Sequence, residues 1–278
     1  MVKAEAKLGI IAGGGVLPKL LIEHCQATGR DYFVIAVENN ADKAIFSPDI
    51  PHQWIRIGQA GTGLKALQQE KVSEIVMIGT IHRPSFADLM PDLRTTAFFA
   101  KIGLKSLGDD GILRAVVAEI EGEGMRVVGI QDVMPELLVK NGVLTKVKPD
   151  KQALADIERG TAAALALGRL DIGQSVVVQQ GLVLGVEGIE GTDELIKRCG
   201  TYQRKGVGGV LVKLRKPQQD MRIDLPTIGP RTIENLHAAG MRGVAIHTGN
   251  ALIVDEEKVI NLADKYKMFV VGITPKES

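Results

Sequence analysis

The sequence predicts an α/β protein of two α/β domains, and three observations predict it. Strand-length apolar runs alternate with helix-length amphipathic runs through the first half of the 278 residues. The alternation loosens over 131–150, where two prolines and an Asn-Gly pair interrupt it. It then resumes with a long helical pattern and a second set of strands. The expected boundaries are an N-terminal domain over 1–133 with a parallel sheet, a linker over 134–150 and a mixed α/β C-terminal domain over 151–278. A substrate cleft is expected between the two domains.

Each element has a local reason. LGIIA (8–12) is a short apolar run and reads as a buried strand. After AGGG, LPKLLIEHCQATG places Leu17, Leu20, Leu21 and Cys25 on one side of a helix that stops at Gly29. YFVIAV (32–37), QWIRI (53–57), EIVMIGT (74–80) and RVVGI (126–130) read as further strands, with helices at GTGLKALQQEK, 93–107 and 111–124 between them. Strands alternating with helices imply a parallel sheet covered on both faces. In the second half, KQALADIERGTAAALALGRL (151–170) is a long helix. SVVVQQ and LVLGVEGI form a hairpin through Gly181. TDELIKRCG begins a helix with Thr192 as N-cap. GGVLVKL, GVAIH, ALIVD and MFVVGI are strands, and PRTIENLHAAG is a helix with Pro230 near its first position and Gly240 as its stop.

Composition narrows the function classes. Hydrophobic residues are 45 % and charged residues 24 %, the balance of a globular chain able to bury a core. A net charge of +1 supplies no basic surface for nucleic acid, and three Tyr with one Trp supply no base-stacking platform. Two distant cysteines, Cys25 and Cys199, form neither a disulfide framework nor a metal cluster, which fits a reducing cytoplasm. The N-terminal residues lack the apolar core of a signal peptide, and no run of about 18 apolar residues is present to span a bilayer. Peripheral contact with a membrane surface stays open, as does a homo-oligomer.

Gly13, Gly14 and Gly15 sit between a strand and a helix, where backbone N–H groups and a helix N-terminus suit an anionic ligand such as a phosphate or nucleotide. Glu38 ends the second strand, where a Rossmann-like domain keeps its ribose-binding acid. The dinucleotide fingerprint is incomplete, because Pro18 stands where its third glycine belongs. A nicotinamide-dependent oxidoreductase is therefore the weaker alternative, and a plain strand-to-helix turn is a further one.

Polar stretches close the strands of the second half. GRLDIGQS carries Arg169, Asp171 and Gln174, and VEGIEGTDE carries Glu187, Glu190, Thr192 and Asp193. VKLRKPQQDMRIDLPTIG carries Lys213, Lys216, Gln218, Arg222, Asp224 and Thr227, and AIHTGN carries His247 and Asn250. Carboxylates among cations suit a Mg²⁺–phosphate site, since Mg²⁺ takes one or two carboxylates plus phosphate oxygens and water. No Walker A, GxSxG or HExxH pattern offers another chemistry. Glu187 and Asp193 have equally ordinary readings as a solvated strand end and a helix-dipole partner. Asp224 is different: it interrupts an apolar run before a rigid Pro–Thr turn, and a carboxylate there needs partners or water. Residues 93–107 combine Phe98, Phe99, Ile102 and Leu104 with Arg94, Lys101 and Lys105, the pattern of a membrane-lying helix or of an ordinary core-facing one.

IAGGGVLP, HRPSFADLMPD, LGDDGILR, GRLDIGQSVVV, LVLGVEGIEGTDELI and MRIDLPTIGPRTI resemble the LpxI-type UDP-2,3-diacylglucosamine pyrophosphatases of Gram-negative lipid A synthesis, from Gly9 to about Gly272. The resemblance implies hydrolysis of UDP-2,3-diacylglucosamine to UMP and 2,3-diacylglucosamine 1-phosphate. It also implies a divalent cation, usually Mg²⁺, water attack on the sugar-side phosphorus, and two domains enclosing the lipid product. It places the essential aspartate of the DLPTIG stretch at Asp224. The expected site is then Asp224 as ligand or base and Glu187 as a second metal ligand. Gly13, Gly14, Gly15, Gln174, Thr192, Lys213, Lys216, Arg222 and Thr227 are expected around the substrate, at the cytoplasmic face of the inner membrane. A non-catalytic lipid- or nucleotide-binding protein is the remaining alternative.

Overall fold

The computed structural model describes residues 6–81, 91–102 and 109–275. They fall in two compact units, one of Met1–Pro135 with Asp220–Asp224 and one of Glu136–Gln219 with Leu225–Ser278. Residues 82–90 of the HRPSFADLMPD stretch, His82 among them, lie outside the described residues, as do Leu104 and Lys105 of the amphipathic run.

In the first unit the order is β1 (Leu8–Ala12), α1 (Leu17–Thr28), β2 (Tyr32–Val37), β3 (His52–Ile55), α2 (Ala60–Gln69), β4 (Glu74–Ile78), α3 (Leu93–Ile102), α4 (Asp109–Gly122), β5 (Arg126–Val127) and α5 (Ile130–Val133). The five strands are parallel in the order β3-β2-β1-β4-β5, as the alternation predicts for a Rossmann-like domain. Parallel strands are buried on both faces, which is why LGIIA and YFVIAV show no polar alternation. Phe33 and Ile35 of β2 join Leu64 and Leu67 of α2 and Val117 and Ile120 of α4 in one apolar cluster. Val34 and Ala36, both 0 % exposed, are buried on the opposite face.

Polar anchoring fixes the helices. The Asp92 carboxylate accepts the Thr95 N–H at 2.7 Å and so caps α3, while Thr95 Oγ1 accepts the Ala60 N–H of α2 at 3.1 Å. Arg94 is held by Glu119 of α4 at 2.8 Å and by Glu123, the residue after that helix. The described start of the amphipathic run thus has its arginine committed to acids, although Leu93 is 92 % exposed. At the start of β4, Glu74 bridges Arg30 at 2.6 Å and Arg126.

The second unit runs β6 (Gly142–Val143), α6 (Lys151–Arg169), β7 (Ser175–Gln179), β8 (Leu182–Val186), α7 (Gly191–Gly200), β9 (Val210–Lys213), β10 (Thr227–Ile228), α8 (Pro230–Ala238), β11 (Gly243–His247), β12 (Leu252–Ile253), α9 (Glu256–Lys265) and β13 (Phe269–Ile273). Its six-stranded sheet has the order β6-β13-β11-β9-β7-β8. β13, β11 and β9 are parallel, whereas β6, β7 and β8 pair antiparallel, so the sheet is mixed as expected. β10 and β12 form a small parallel pair. Side chains alternate between two cores. Val177, Leu211, Val244, Ile246 and Val270 pack with α7, α8 and α9, while Val176, Val178, Val210, Val212 and Phe269 pack with α6. The stretch read as a linker carries β6, which pairs with β13 through Val143 and Val271, and Thr145 Oγ1 accepts the Val270 N–H at 3.0 Å. Two residues of strand leave no periodicity to read, so this pairing is invisible in the sequence.

The β7–β8 hairpin turns through Gln180 and Gly181, whose φ values of 52° and 77° suit the twist of a tight antiparallel pair. Asp156 on α6 is 1 % exposed, and its carboxylate accepts the N–H groups of Gln180 at 3.1 Å and Gly181 at 2.7 Å. The long helix is thereby tied to the hairpin by the turn's own donors.

Two outcomes are expected. Asp156→Ala leaves both turn donors unpaired and costs about 2–3 kcal/mol in urea denaturation, with Asp156→Asn losing less because one acceptor remains. Arg126 foremost, with Arg30, holds the Glu74 carboxyl below its ordinary value. A depressed carboxylate contributes stability above its unfolded pKa of about 4.3 that is lost as pH falls through the lower folded value. Glu74→Gln should flatten that acid limb and cost about 1–2 kcal/mol at neutral pH, with partial exposure discounted. Thermal unfolding between neutral and acid pH reads both effects.

Candidate functional site

Strand register collects the polar residues of the second unit. Ser175, the first residue of β7, lies opposite Lys213, the last of β9. Glu187 follows β8 immediately, and its N–H donates to the Ser175 carbonyl at 2.9 Å. His247 ends β11, one residue beyond the partner of Lys213. These residues therefore share the carboxyl edge of the parallel strands, where α/β sheets place ligand contacts.

A continuous hydrogen-bond chain joins Ser175, Glu187 and Lys213. Lys213, 7 % exposed, donates from Nζ to Thr192 Oγ1 at 3.0 Å and to the Thr227 carbonyl at 3.1 Å. Thr192 donates in turn to Glu187 Oε1 at 2.8 Å, and Ser175 Oγ lies 3.2 Å from the same hydroxyl. The second Glu187 oxygen accepts the Gln174 N–H at 3.2 Å. A charge this deeply placed requires such partners. Thr192 sits inside the first turn of α7, whose N-cap is Glu190, so it is not the helix cap read from the sequence. Its hydroxyl is taken by Glu187 and Lys213. Ser175 went unremarked in the sequence reading, because only the β7–β9 register brings it opposite Lys213.

Other expected site residues have partners of their own. Lys216 pairs with Asp171 at 2.6 Å. Arg222 belongs to the first unit, where it pairs with Asp220 at 2.7 Å and with Glu121 at 2.8 Å. Asp220 raises the Arg222 guanidinium above its ordinary range, and Arg222 lowers the Asp220 carboxyl. Glu187 has both oxygens engaged as acceptors, one from Thr192 and one from the Gln174 N–H. Thr227 donates its hydroxyl to the Leu225 carbonyl at 3.1 Å. Gln174 Oε1 is enclosed without a hydrogen-bond partner among the described residues, so it retains an acceptor to offer. Asp224 is exposed and ends the 220–224 segment, between Ile223, which packs on the first unit's apolar cluster, and buried Leu225.

The glycine turn is occupied by backbone. The Gly13 N–H donates to the Ile78 carbonyl and the Gly14 N–H to the Thr80 carbonyl, both at 2.8 Å, and Thr80 returns a bond to Gly14 at 2.9 Å. A Cβ at Gly13 would meet Thr80 O at 2.6 Å, and one at Gly79 would meet Gly14 O at 2.6 Å. Glycine serves close passage of two chains here, so Gly13 and Gly14 do not present the predicted N–H cradle. Gly15, with φ +92° and open space around its Cα, remains beside the start of α1. Glu38 lies 3.4 Å from Arg56.

Fold and site together define a two-unit α/β protein with a parallel, Rossmann-like sheet in one unit and a braced polar edge in the other. Residues 7–137 match the LpxI N-terminal domain and residues 140–271 the LpxI C-terminal domain, so the chain belongs to the LpxI family. It is 41 % identical to the UDP-2,3-diacylglucosamine pyrophosphatase LpxI of Caulobacter vibrioides, over 98 % of this chain and 99 % of that one. A solved structure of the precorrin-6A reductase CobK aligns with 98 % of this chain and 89 % of its own at 10 % identity, with a TM-score of 0.36.

Thr192→Val removes one hydroxyl from two buried charged groups. It should cost about 1–3 kcal/mol in denaturant unfolding, with Thr192→Ser recovering most of the loss.

Proposed function

We propose that this chain hydrolyses the pyrophosphate bond of UDP-2,3-diacylglucosamine. Water adds at phosphorus on the sugar side, the bridging P–O bond breaks, and UMP leaves with 2,3-diacylglucosamine 1-phosphate remaining. The observation that carries this reading is the end-to-end identity with the Caulobacter pyrophosphatase, supported by both family domains. Asp224 is the carboxylate assigned to the reaction: it is exposed, and within MRIDLPTIGPRT it is followed by the small β10 strand and the N-terminus of α8. Gln174, through its enclosed Oε1, is the substrate contact of the second unit in this reading.

The donor set suits a divalent cation only in company with substrate. Among the described residues no group of three or more His, Cys, Asp or Glu is placed to hold a metal. Mg²⁺ is commonly held by one or two carboxylates with phosphate oxygens and water completing its shell. Asp224 would hold it, and bound there it would supply charge compensation at the diphosphate. Asp224 would also orient the attacking water, since it is exposed to solvent.

Work at the cytoplasmic face of the inner membrane belongs to the same proposal, because the substrate is a lipid. Among the described residues no helix is long and apolar enough to cross a membrane. The nicotinamide reading loses support, since the Gly13 and Gly14 donors are engaged with backbone and Glu38 lies beside Arg56.

Asp224→Ala should keep its unfolding midpoint while UMP release falls by about 10³-fold or more, the scale of losing a group that acts only in the transition state. Turnover within threefold of the parent would remove Asp224 from the reaction. Chelation by EDTA should stop UMP release and added Mg²⁺ restore it; hydrolysis unaffected by EDTA would exclude the metal. Tight product binding without any turnover would favour the non-catalytic reading.

A further inference from the structure

The Proposed function leaves Lys213 without a chemical step, although its ammonium is the most enclosed cation at the carboxyl edge of the second sheet. Its two stated bonds point to protein atoms. One goes to Thr192 Oγ1, which passes its own proton to Glu187, and the other goes to the Thr227 carbonyl. Thr227 belongs to β10, in the run Leu225–Ile228 that begins at the residue after Asp224.

That run is anchored by Ile228, which is 1 % exposed in the second unit's core, while its backbone pairing is short. β10 is two residues long and, among the described residues, pairs with β12 alone, through Thr227–Leu252 and Ile228–Ile253. The Pro226 carbonyl accepts the Leu252 N–H at 2.8 Å, and the Ile228 carbonyl accepts the Val254 N–H at 2.9 Å. A two-stranded pair of this length is not stable by itself. The Thr227 carbonyl, between those two acceptors, faces away from β12 by strand alternation and is the one Lys213 takes.

We infer that Lys213 is a positioning residue: oriented by the Thr192–Glu187 pair, its ammonium pins the Thr227 peptide and thereby holds β10, the strand that follows the DLP stretch, in place. The orientation follows from donor and acceptor roles. Ionised Glu187 accepts only, so Thr192 must donate to it, and the Thr192 oxygen is then left as acceptor for the ammonium. An ammonium, always a donor, in turn selects a carbonyl. Glu187 therefore fixes the hydroxyl, the hydroxyl fixes the amine, and the amine fixes the peptide. This inference rests on the Proposed function for its kinetic consequence, but its structural consequence is independent of any substrate.

Two measurements test it. Amide hydrogen exchange of the substrate-free protein reads the Leu252 and Val254 N–H groups, which report whether Pro226 and Ile228 stay docked. Lys213→Met and Thr192→Val should each speed that exchange by about tenfold or more, while Thr192→Ser and the surface variant Lys197→Met leave it unchanged. Unchanged exchange in Lys213→Met would overturn the inference. The second measurement is steady-state release of UMP from UDP-2,3-diacylglucosamine. Lys213→Met and Thr192→Val should lower kcat by about tenfold or more with KM within threefold, Thr192→Ser should restore most of the loss, and the Lys213→Met/Thr192→Val double variant should be no slower than Lys213→Met. A raised KM with kcat intact would make Lys213 a substrate contact, and additive losses would break the relay; either overturns the inference. Failure of the parent protein to release UMP would sink the Proposed function instead, and the exchange result would still decide the positioning claim.

Discussion

Lys213 brings its charge to the end of β9 with 7 % of its surface in water, and an ammonium so placed has to be surrounded by oxygen. That requirement reaches across the second unit. It takes the hydroxyl of Thr192 from α7 and the carbonyl of Thr227 from β10, and through Thr192 it engages Glu187 beyond β8. Glu187 in turn receives the Gln174 N–H just before β7. One buried charge thus organises the ends of strands that are far apart in sequence. Replacing it with an apolar group would remove the donor from two acceptors, the Thr192 hydroxyl and the Thr227 carbonyl, the costly case for a polar network.

The first unit solves a different problem at the corresponding place. Its order β3-β2-β1-β4-β5 reverses direction between β1 and β4, where doubly wound sheets open a crevice for ligands. Here Gly13 and Gly14 lie against Gly79 and Thr80, and a reciprocal pair of backbone bonds closes the strand ends on each other. The glycines are needed because any Cβ would strike a carbonyl. A glycine-rich turn after a strand is thus compatible with two opposite uses, opening backbone to a phosphate or packing backbone on backbone. The distinction depends on what lies on the other side, and in this chain that is another segment of the same protein for two of the three residues.

Much of the architecture is readable from local pattern. The apolar runs of β1, β2, β4, β9, β11 and β13 are continuous because both faces are covered, and the helices between them carry their caps and stops in plain view, as Gly29 does for α1 and Pro230 for α8. Two of the shortest strands are not readable. β6 and β10 have two residues each with no strand-length apolar run around them, and they exist because a neighbouring strand offers unpaired donors and acceptors, whereas β5 and β12, equally short, sit in the readable runs RVVGI and ALIVD. The Thr192 N-cap reading fails for a related reason: a threonine followed by Asp193 and Glu194 has the composition of a helix start, but its hydroxyl finds stronger, charged partners in Lys213 and Glu187.

The sequence by itself determined the alternation of strands and helices, the mixed character of the second half and the family, because hydrophobic periodicity and distinctive motifs are properties of neighbouring residues. It also singled out Asp224 as a carboxylate between Ile223 and Leu225. Only the tertiary structure decided which charges were already taken: Lys216 by Asp171, Arg222 by Asp220 and Glu121, Glu187 by Thr192 and Gln174, and the Gly13 and Gly14 donors by β4 and the residues after it. A polar side chain has the same appearance in a sequence whether it faces a ligand or a neighbour. Its partner is set by strand order and register, which bring residues such as Ser175 and Lys213 opposite each other across many intervening positions.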